Sequence, residues 1–352
     1  MNELGDRNQR VGPIAGLGAL LREFGIQPRA FGEEFGVDLD RLTPDAREPF
    51  GLMLRMLREA AARTGCPHLG LLLGSRYRPT EHGPIHRLMA TAPTLRDALL
   101  DFVHWQFGYS TAATVYLDRI GDDFAFGYGA YERTAPATPL LYEMCAAIGV
   151  TMIHELTGGA VSPVEIHFAH RPAADLAPYQ RILRAPVRFN QNQTCLVLRA
   201  AALEAPLPGF DPVARARLIQ AMAAHGFASL SAAARLRRIV RPQILRDDPS
   251  MAGAARVLRV HPRTLRRQLA AEGVSFEQVR DEVRFMLARE LLQLTDLPIG
   301  DISNALAFAT HAAFVRAFRR WSGAPPTVWR AAARLTASPP PSANAARPPE
   351  AA

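Results

Sequence analysis

The spacing of apolar residues changes along the chain, and the changes mark its elements. Leu, Met and Phe recur at helical intervals over Ile14–Phe24 and Phe50–Arg63, with GIQP and TGCP as stops. Between them residues 31–49, FGEEFGVDLDRLTPDAREP, read as short helix and loop. Thr94–Trp105 is a further helix, with Thr94 and Asp97 at the spacing of a capping box. The period then shortens. Ala113–Leu117 and Phe124–Tyr131 are rich in aromatic and β-branched residues and are broken within Arg119–Asp123, which predicts a β-hairpin. Thr138–Leu156 returns to helix. Val164–Phe168 and Val187–Leu198 read as strands, the second bent at Asn190–Asn192. The first 205 residues are thus expected to form an α+β domain with a modest sheet. Residues 1–12 are expected to be loose. Leu203–Phe210, with Pro206 and Pro208, marks a boundary, and a helical connector follows over Pro212–His225.

Beyond the connector the pattern is helical and repeats. Ser250–Gly273 and Pro298–Gly323 each hold a short apolar-periodic helix, a break of about three residues and a second helix rich in Arg, the sequence shape of a helix-turn-helix. In the first unit Ala255, Leu258 and Val260 face inward, and small Ala255 allows close helix approach. Pro262 suits the first position of the second helix, because its missing N–H would have no partner there. Leu265 and Leu269 form that helix's apolar back, leaving Arg263, Thr264, Arg266, Arg267 and Gln268 pointing elsewhere. In the second unit Ile302, Ala305, Leu306 and Phe308 face inward, and Phe314, Phe318 and Trp321 hold the second helix. Thr310 is placed to cap it and Gly323 to end it, while His311, Arg316, Arg319 and Arg320 lie on or beside its outer face. Arg on such a face can pair bidentately with a guanine edge in a major groove.

Between the units, Phe276–Leu294 keeps a helical period broken only by Glu290, behind a Ser275–Gln278 capping box. A helix of that span is about 28 Å long at ~1.5 Å per residue. Readers one DNA turn apart sit about 34–36 Å apart, so the rod would set their register.

These residues resemble the DNA-binding domain of the AraC/XylS family of bacterial transcription regulators. The resemblance runs over about Arg235–Arg330: Ala255, Leu258, Arg263-Thr264-Leu265, Arg267, Leu269, Gly273, Phe276, Arg280, Ala288, Leu291-Leu292, Ile302, Ala305-Leu306, Phe308, Phe314, Ala317-Phe318, Trp321, Gly323, Pro326 and Trp329-Arg330. Ala307 stands where the family usually has Gly, His261 where Ser is common before the first recognition helix, and Pro325 for Ser or Thr. These departures bear on local geometry. The front half is similar to the N-terminal domain of the family's ornithine-utilisation and VirS-type branch, sometimes labelled arabinose-binding-like; HGPIHRLMATAPTLRDALLDF and PYQRILRAPVRFNQNQTCLVLRAAALEAPLP carry that likeness.

The resemblance implies an α+β effector-sensing and dimerisation domain over residues 13–205, a helical connector over 206–233, an all-α double helix-turn-helix domain over 234–332, and a disordered Pro/Ala-rich tail over 337–352. It implies double-stranded DNA as partner across two successive major grooves, with His261, Arg263, Thr264, Arg266, Arg267, Thr310, His311, Arg316, Arg319 and Arg320 at the interface. It also implies a small-molecule effector, RNA polymerase as partner of an activator, and a homodimer through the front domain.

Charge supports this reading. Ser229–Arg334 carries 18 Arg against 9 Asp and Glu, while residues 1–228 carry 22 Arg against 23 acids. The excess positive charge therefore sits with the paired units, as a polyanion-binding module requires. The chain has no Lys, so only the position of an Arg is informative, not its choice over Lys. Cys66, Cys145 and Cys195 are far apart and odd in number, which points to a reduced, cytoplasmic chain. Neither Val11–Leu21 nor Thr134–Ile153 reads as a signal peptide or a membrane span.

Enzymatic signatures are missing. His82 with His86, and His167 with His170, lack a third and fourth ligand. His154-Glu155 has no second His four residues on, and no phosphate loop, serine-hydrolase elbow or convincing dinucleotide fingerprint occurs. No cofactor is expected. The rival readings are a non-specific architectural DNA binder and an enzyme domain tethered to DNA. Ten aromatics between Phe102 and Tyr142 are expected chiefly as core, with a small-molecule pocket nearby.

Overall fold

The computed structural model describes residues 8–106, 110, 112–131, 138–224, 230–246 and 249–337. The expected tail, apart from Ala337, lies outside the described residues, as do Phe107 and Tyr109 of the aromatic stretch.

The front domain is mixed α/β. Its N-terminal strand β1 (Asn8–Arg10) pairs antiparallel with β2 (Arg47–Pro49). Residues 8–12 are therefore held in place, against the expectation of a loose start. Three-residue strands are too short to show a period, and what holds this one is a buried charge. Arg10 is nearly inaccessible, donates from Nε to Asp45 at 2.9 Å, and donates from Nη2 to the Glu81 carbonyl.

The main sheet has five strands: β3 (Ala113–Ile120), β4 (Asp123–Ala130), β5 (Glu165–His167), β6 (Val187–Arg188) and β7 (Thr194–Leu198), in the order β3-β4-β7-β5-β6. All pairings are antiparallel except β5 with β6. The hairpin turn is tighter than expected, because pairing runs on to Ile120 with Asp123 and Gly121 takes the left-handed turn at φ 59°. Val187–Leu198 is two strands rather than one bent strand. Asn190, at φ 56°, turns the chain so that β6 ends at the sheet edge while β7 enters the middle.

The helix Thr138–Leu156 has the expected span and lies against β4 and β7. Phe50–Thr64 packs against it, and Leu95–Trp105 packs against β3 and is capped by Thr94, which accepts from the Asp97 N–H at 3.2 Å. Asp97 answers through its carboxylate, which accepts from the Thr94 hydroxyl at 2.7 Å, so the reciprocal bond to the backbone of a full capping box is replaced by a side-chain pair. The short helices Leu69–Arg76, Pro84–Ala90 and Ala177–Leu183 carry too few turns to show a clear period. The connector helix Pro212–Ala224 is tied back by a bidentate Arg215–Asp101 pair at 2.5 and 2.9 Å.

Two polar clusters sit inside this apolar body. Burial pushes the Glu143 carboxyl up to about 8, against the lowering effect of the Tyr179 hydroxyl that donates to it. Burial also holds His170 down at about 4 and His82 at about 3. The two histidines shed protons on folding, so their contribution favours the fold increasingly up to their ordinary 6.5 and is then complete. Glu143 binds a proton on folding, because its carboxyl rises from an ordinary 4.5, so its contribution is lost as pH climbs toward about 8. Of these three groups, Glu143 is the one that still titrates between pH about 6.5 and 8. Thermal unfolding across that window should show Tm falling with pH, and Glu143→Gln should flatten the fall; an unchanged slope would contradict this assignment.

Candidate nucleic-acid interface and its contact with the front domain

The C-terminal region is all helical. Its first helix, Ala232–Leu245, begins with Ser231 accepting from the Ala234 N–H at 3.2 Å. Its free N–H groups at Ala232 and Ala233 donate to the Glu272 carboxylate at 2.6 and 2.9 Å. A carboxylate there satisfies orphan donors and complements the positive end of the helix.

The two expected units follow. Met251–Val257 is capped by Ser250 and buries Ala254 and Ala255. Pro262–Ala271 buries Leu265 and Leu269. His261 fills the cap position, its Nδ1 accepting from the Arg263 N–H at 3.2 Å, so the ring nitrogen does here what a Ser hydroxyl does elsewhere. Ile299–Ala305 buries Ile302, and His311–Ser322 buries Phe314, Ala317 and Phe318. Thr310 accepts from the Ala313 N–H at 3.1 Å, and Gly323 ends the helix at φ 81°.

With their backs buried, both second helices present their arginines outward. Arg263, Arg266 and Arg267 are exposed and Thr264 half-buried on the first, with His261 exposed at its start. Thr310, His311, Arg316, Arg319 and Arg320 are exposed on the second. Arg320 lies 3.5 Å from Asp281, a long and solvent-screened pair. Each unit thus brings its named residues onto one helix and its cap.

The turns share a backbone device. Arg259 in the first and Ala307 in the second are both left-handed, at φ 53° and 55°. Ala307 therefore does not reshape the turn; it adopts the conformation that Gly would hold without strain. Its carbonyl accepts from Arg284 Nη2 at 2.6 Å, and the Arg284 guanidinium lies 4.6 Å from the Phe308 ring centre, which pins the turn to the rod.

The rod Phe276–Leu294 has the expected span and capping box. Glu290, the one break in its apolar period, faces the front domain. Its carboxylate accepts from Arg241 Nη2 at 2.9 and 3.1 Å and from the Tyr142 hydroxyl at 2.6 Å. Arg241 is 0% exposed and lies against β4 at Gly129, where any Cβ would come within 2.2 Å of its Nε. The end of the rod is gripped as well. Arg171 donates from Nη1 to the Gln293 carbonyl at 3.1 Å and from its backbone to that of Leu294 at 2.9 Å, and Asn190 accepts from the Asp296 N–H at 3.0 Å. A cation at the rod's C-terminus meets its orphan carbonyls and the negative end of its dipole. Two further contacts cross at the first helix: Arg238 donates to Gln106 at 3.2 Å and to the Ser110 carbonyl at 2.9 Å, and Arg246 pairs with Asp118 at 2.8 Å. Sequence reading missed this contact surface. Glu290 amid apolar positions was its one visible signal, because the partners lie more than a hundred residues away in Tyr142 and Arg171.

Burial pushes the Cys145 and Cys195 thiols up to about 12, which keeps them protonated and unreactive at neutral pH. His86 faces Glu155 at 3.1 Å, His167 faces Glu165 at 2.6 Å, and His170 is turned to the Arg171 carbonyl at 2.8 Å. Among the described residues no group of three or more His, Cys, Asp and Glu could hold a metal ion, and no helix is long and apolar enough to cross a membrane.

Two outcomes are expected. Ala307→Gly should stabilise the C-terminal region by about 1 kcal/mol through relief of the left-handed strain, read as a higher denaturant midpoint at unchanged m-value; a loss of stability would show that the turn is unstrained. Glu290→Ala should cost about 3–5 kcal/mol, since it leaves a buried guanidinium without its carboxylate. Glu290→Met with Arg241→Met should recover most of that loss in a double-mutant cycle. Additive losses would show that the two groups do not act as a pair.

The chain is similar to known proteins over both of these regions. Residues 25–207 match the arabinose-binding N-terminal domain of AraC transcription regulators, and residues 254–332 match a helix-turn-helix domain. The chain is 29% identical over 330 residues to the ornithine utilization regulator of Pseudomonas aeruginosa, covering 91% of this chain and 96% of that one. It is 27% identical over 318 residues to the regulator VirS of Mycobacterium tuberculosis, covering 89% and 93%. A solved structure, the regulator CdpR of Pseudomonas aeruginosa, aligns with 89% of this chain and 98% of its own at 24% identity and a TM-score of 0.41. With its arabinose-binding-like front domain and paired helix-turn-helix units, the chain belongs to the AraC/XylS family of sequence-specific, DNA-binding transcription regulators.

Proposed function

We propose that Pro262–Ala271 and His311–Ser322 enter two successive major grooves, and that the front domain controls them by holding the rod between them. The observation that carries this reading is the placement of the arginines: exposed on two helices whose apolar backs are buried, in two units joined through one rigid helix. Arg263, Thr264, Arg266 and Arg267 read bases or hold phosphates, and Arg316, Arg319 and Arg320 serve the second groove, with His261, Thr310 and His311 at the helix starts. Positioning comes from phosphate contacts and specificity from base edges.

The division into a sensing domain over residues 13–205, a connector over 206–233, a DNA-binding domain over 234–332 and a tail over 337–352 belongs to the same proposal. So do action in the cytoplasm, a homodimer through the front domain, and contact with RNA polymerase where the protein activates; these rest on the family. A small-molecule effector acts by binding one arrangement of the two domains better than another.

Selection of genomic fragments by the purified protein at physiological salt tests the reading. A shared motif with two half-sites about one helical turn apart is expected. Unpatterned fragments whose affinity collapses with salt would leave an architectural DNA binder instead. On the selected site, Arg266→Ala should cost about 1–3 kcal/mol and relax preference at one position. A uniform loss on all sequences would make Arg266 a phosphate clamp.

A further inference from the structure

We propose that a cavity inside the front domain is the effector site, and that it takes a compact apolar molecule bearing one carboxylate at its end. What that binding controls rests on the regulator reading above; what binds rests on the cavity itself.

The cavity, of about 100 Å³, lies between the sheet and the helices Phe50–Thr64, Leu95–Trp105 and Thr138–Leu156. Its walls are mostly apolar, with Phe50, Phe102, Phe126, Met53, Met144 and Met152 among them. An apolar cavity of about 150 Å³ is known to stay dry and bind benzene, so this space is smaller than a single ring needs and must widen to take one. Three unbranched methionines allow it to widen at low cost, because they change rotamer readily.

The charge of the ligand follows from the lining. Among the described residues that line the cavity, Arg10 is the one cation and none is acidic. An ammonium group would enter without a counter-ion, which costs several kcal/mol when desolvated. A carboxylate would meet a guanidinium that is already buried. Among the partners of Arg10, the Asp45 carboxylate is 85% exposed, so water screens that pair from the outer side. His82 and Gln106, also on the wall, add hydrogen-bonding groups at neutral charge, since burial holds His82 unprotonated down to about 3.

Two walls of this cavity are also the contacts that hold the helical region. Tyr128 lines it and meets Tyr142 edge-on, with ring centres 6.1 Å apart; the Tyr142 hydroxyl then donates to Glu290 of the rod. Gln106 lines it and accepts from Arg238 of the helix Ala232–Leu245. A molecule that displaces either side chain therefore acts on the helices that carry the two DNA readers.

The test uses the full chain and three probes of one shape: cyclohexanecarboxylate, cyclohexylmethanol and cyclohexylmethylamine. Calorimetric titration should show the carboxylate binding at least about tenfold tighter than the amine, and saturating carboxylate should change affinity for the selected DNA at least about threefold. Arg10→Gln should erase the preference for carboxylate over alcohol. Because Arg10 also ties β1 to Asp45 and Glu81, a second variant is needed. Ala146→Leu extends a lining side chain into the space and should abolish binding of all three probes in a chain that unfolds with wild-type cooperativity. Equal or tighter binding of the amine, full carboxylate binding in Ala146→Leu, no binding of any probe, or bound carboxylate without effect on DNA affinity would each overturn the inference. DNA selectivity, measured without any probe, reports separately on the regulator reading: it survives if only the cavity inference fails.

Discussion

The ion pair between Arg241 and Glu290 is the constraint around which the two halves of this molecule meet. Moving either charge out of water costs several kcal/mol, and the cost is offset only where the partner and the remaining hydrogen bonds are in place. Here the partner carboxylate takes two bonds from the guanidinium and one from Tyr142. That requirement fixes three elements at once: the helix Ala232–Leu245 that carries Arg241, the rod that carries Glu290, and the front-domain helix that carries Tyr142. It also fixes a glycine. Gly129 stands where a side chain would collide with the guanidinium, so β4 can approach the pair only without a Cβ.

Placing the ion pair on the rod has consequences for both readers. The rod begins beside the end of the first reader and is followed at once by the second unit, so its direction governs both. Glu290 fixes its flank, while Arg171 and Asn190 fix its C-terminus. A helix held at side and end has little freedom to tilt without breaking buried polar bonds, and such bonds switch between discrete arrangements rather than bending smoothly. Polar contacts suit this purpose better than apolar ones, which tolerate sliding. The contact is therefore specific in register, and a local change in the front domain can reach the readers through it.

The front domain supplies a means of making such a change. Its interior is apolar yet keeps a small space, and the side chains bounding that space include Tyr128 and Gln106, each one step from the C-terminal helices. Buried polar groups elsewhere in the domain, Glu143 and His170 among them, sit in contact with Tyr179 and the backbone. Sensing and transmission thus converge on one side of the sheet.

Much of this was legible in the chain itself. The helix Thr138–Leu156, the rod with its capping box, and both helix pairs, the last helix with its Thr310 cap, follow from local rules: period, cap chemistry and Gly or Pro at the ends, each satisfied within a few residues. The outward face of each reader follows equally, because two or three apolar positions on a short helix decide which side is left for arginine. The short strands, the split of Val187–Leu198 and the held N-terminus were not legible, since their pairing partners are distant and their spans too short to carry a period. Glu290 marks the limit most clearly. In sequence it is a flaw in an apolar stripe; only tertiary structure, by bringing Arg241 and Tyr142 to it across 49 and 148 residues, makes it the hinge between the domains. Local chemistry determined the elements and their faces, and the long-range pairing of buried charges decided how those elements are joined.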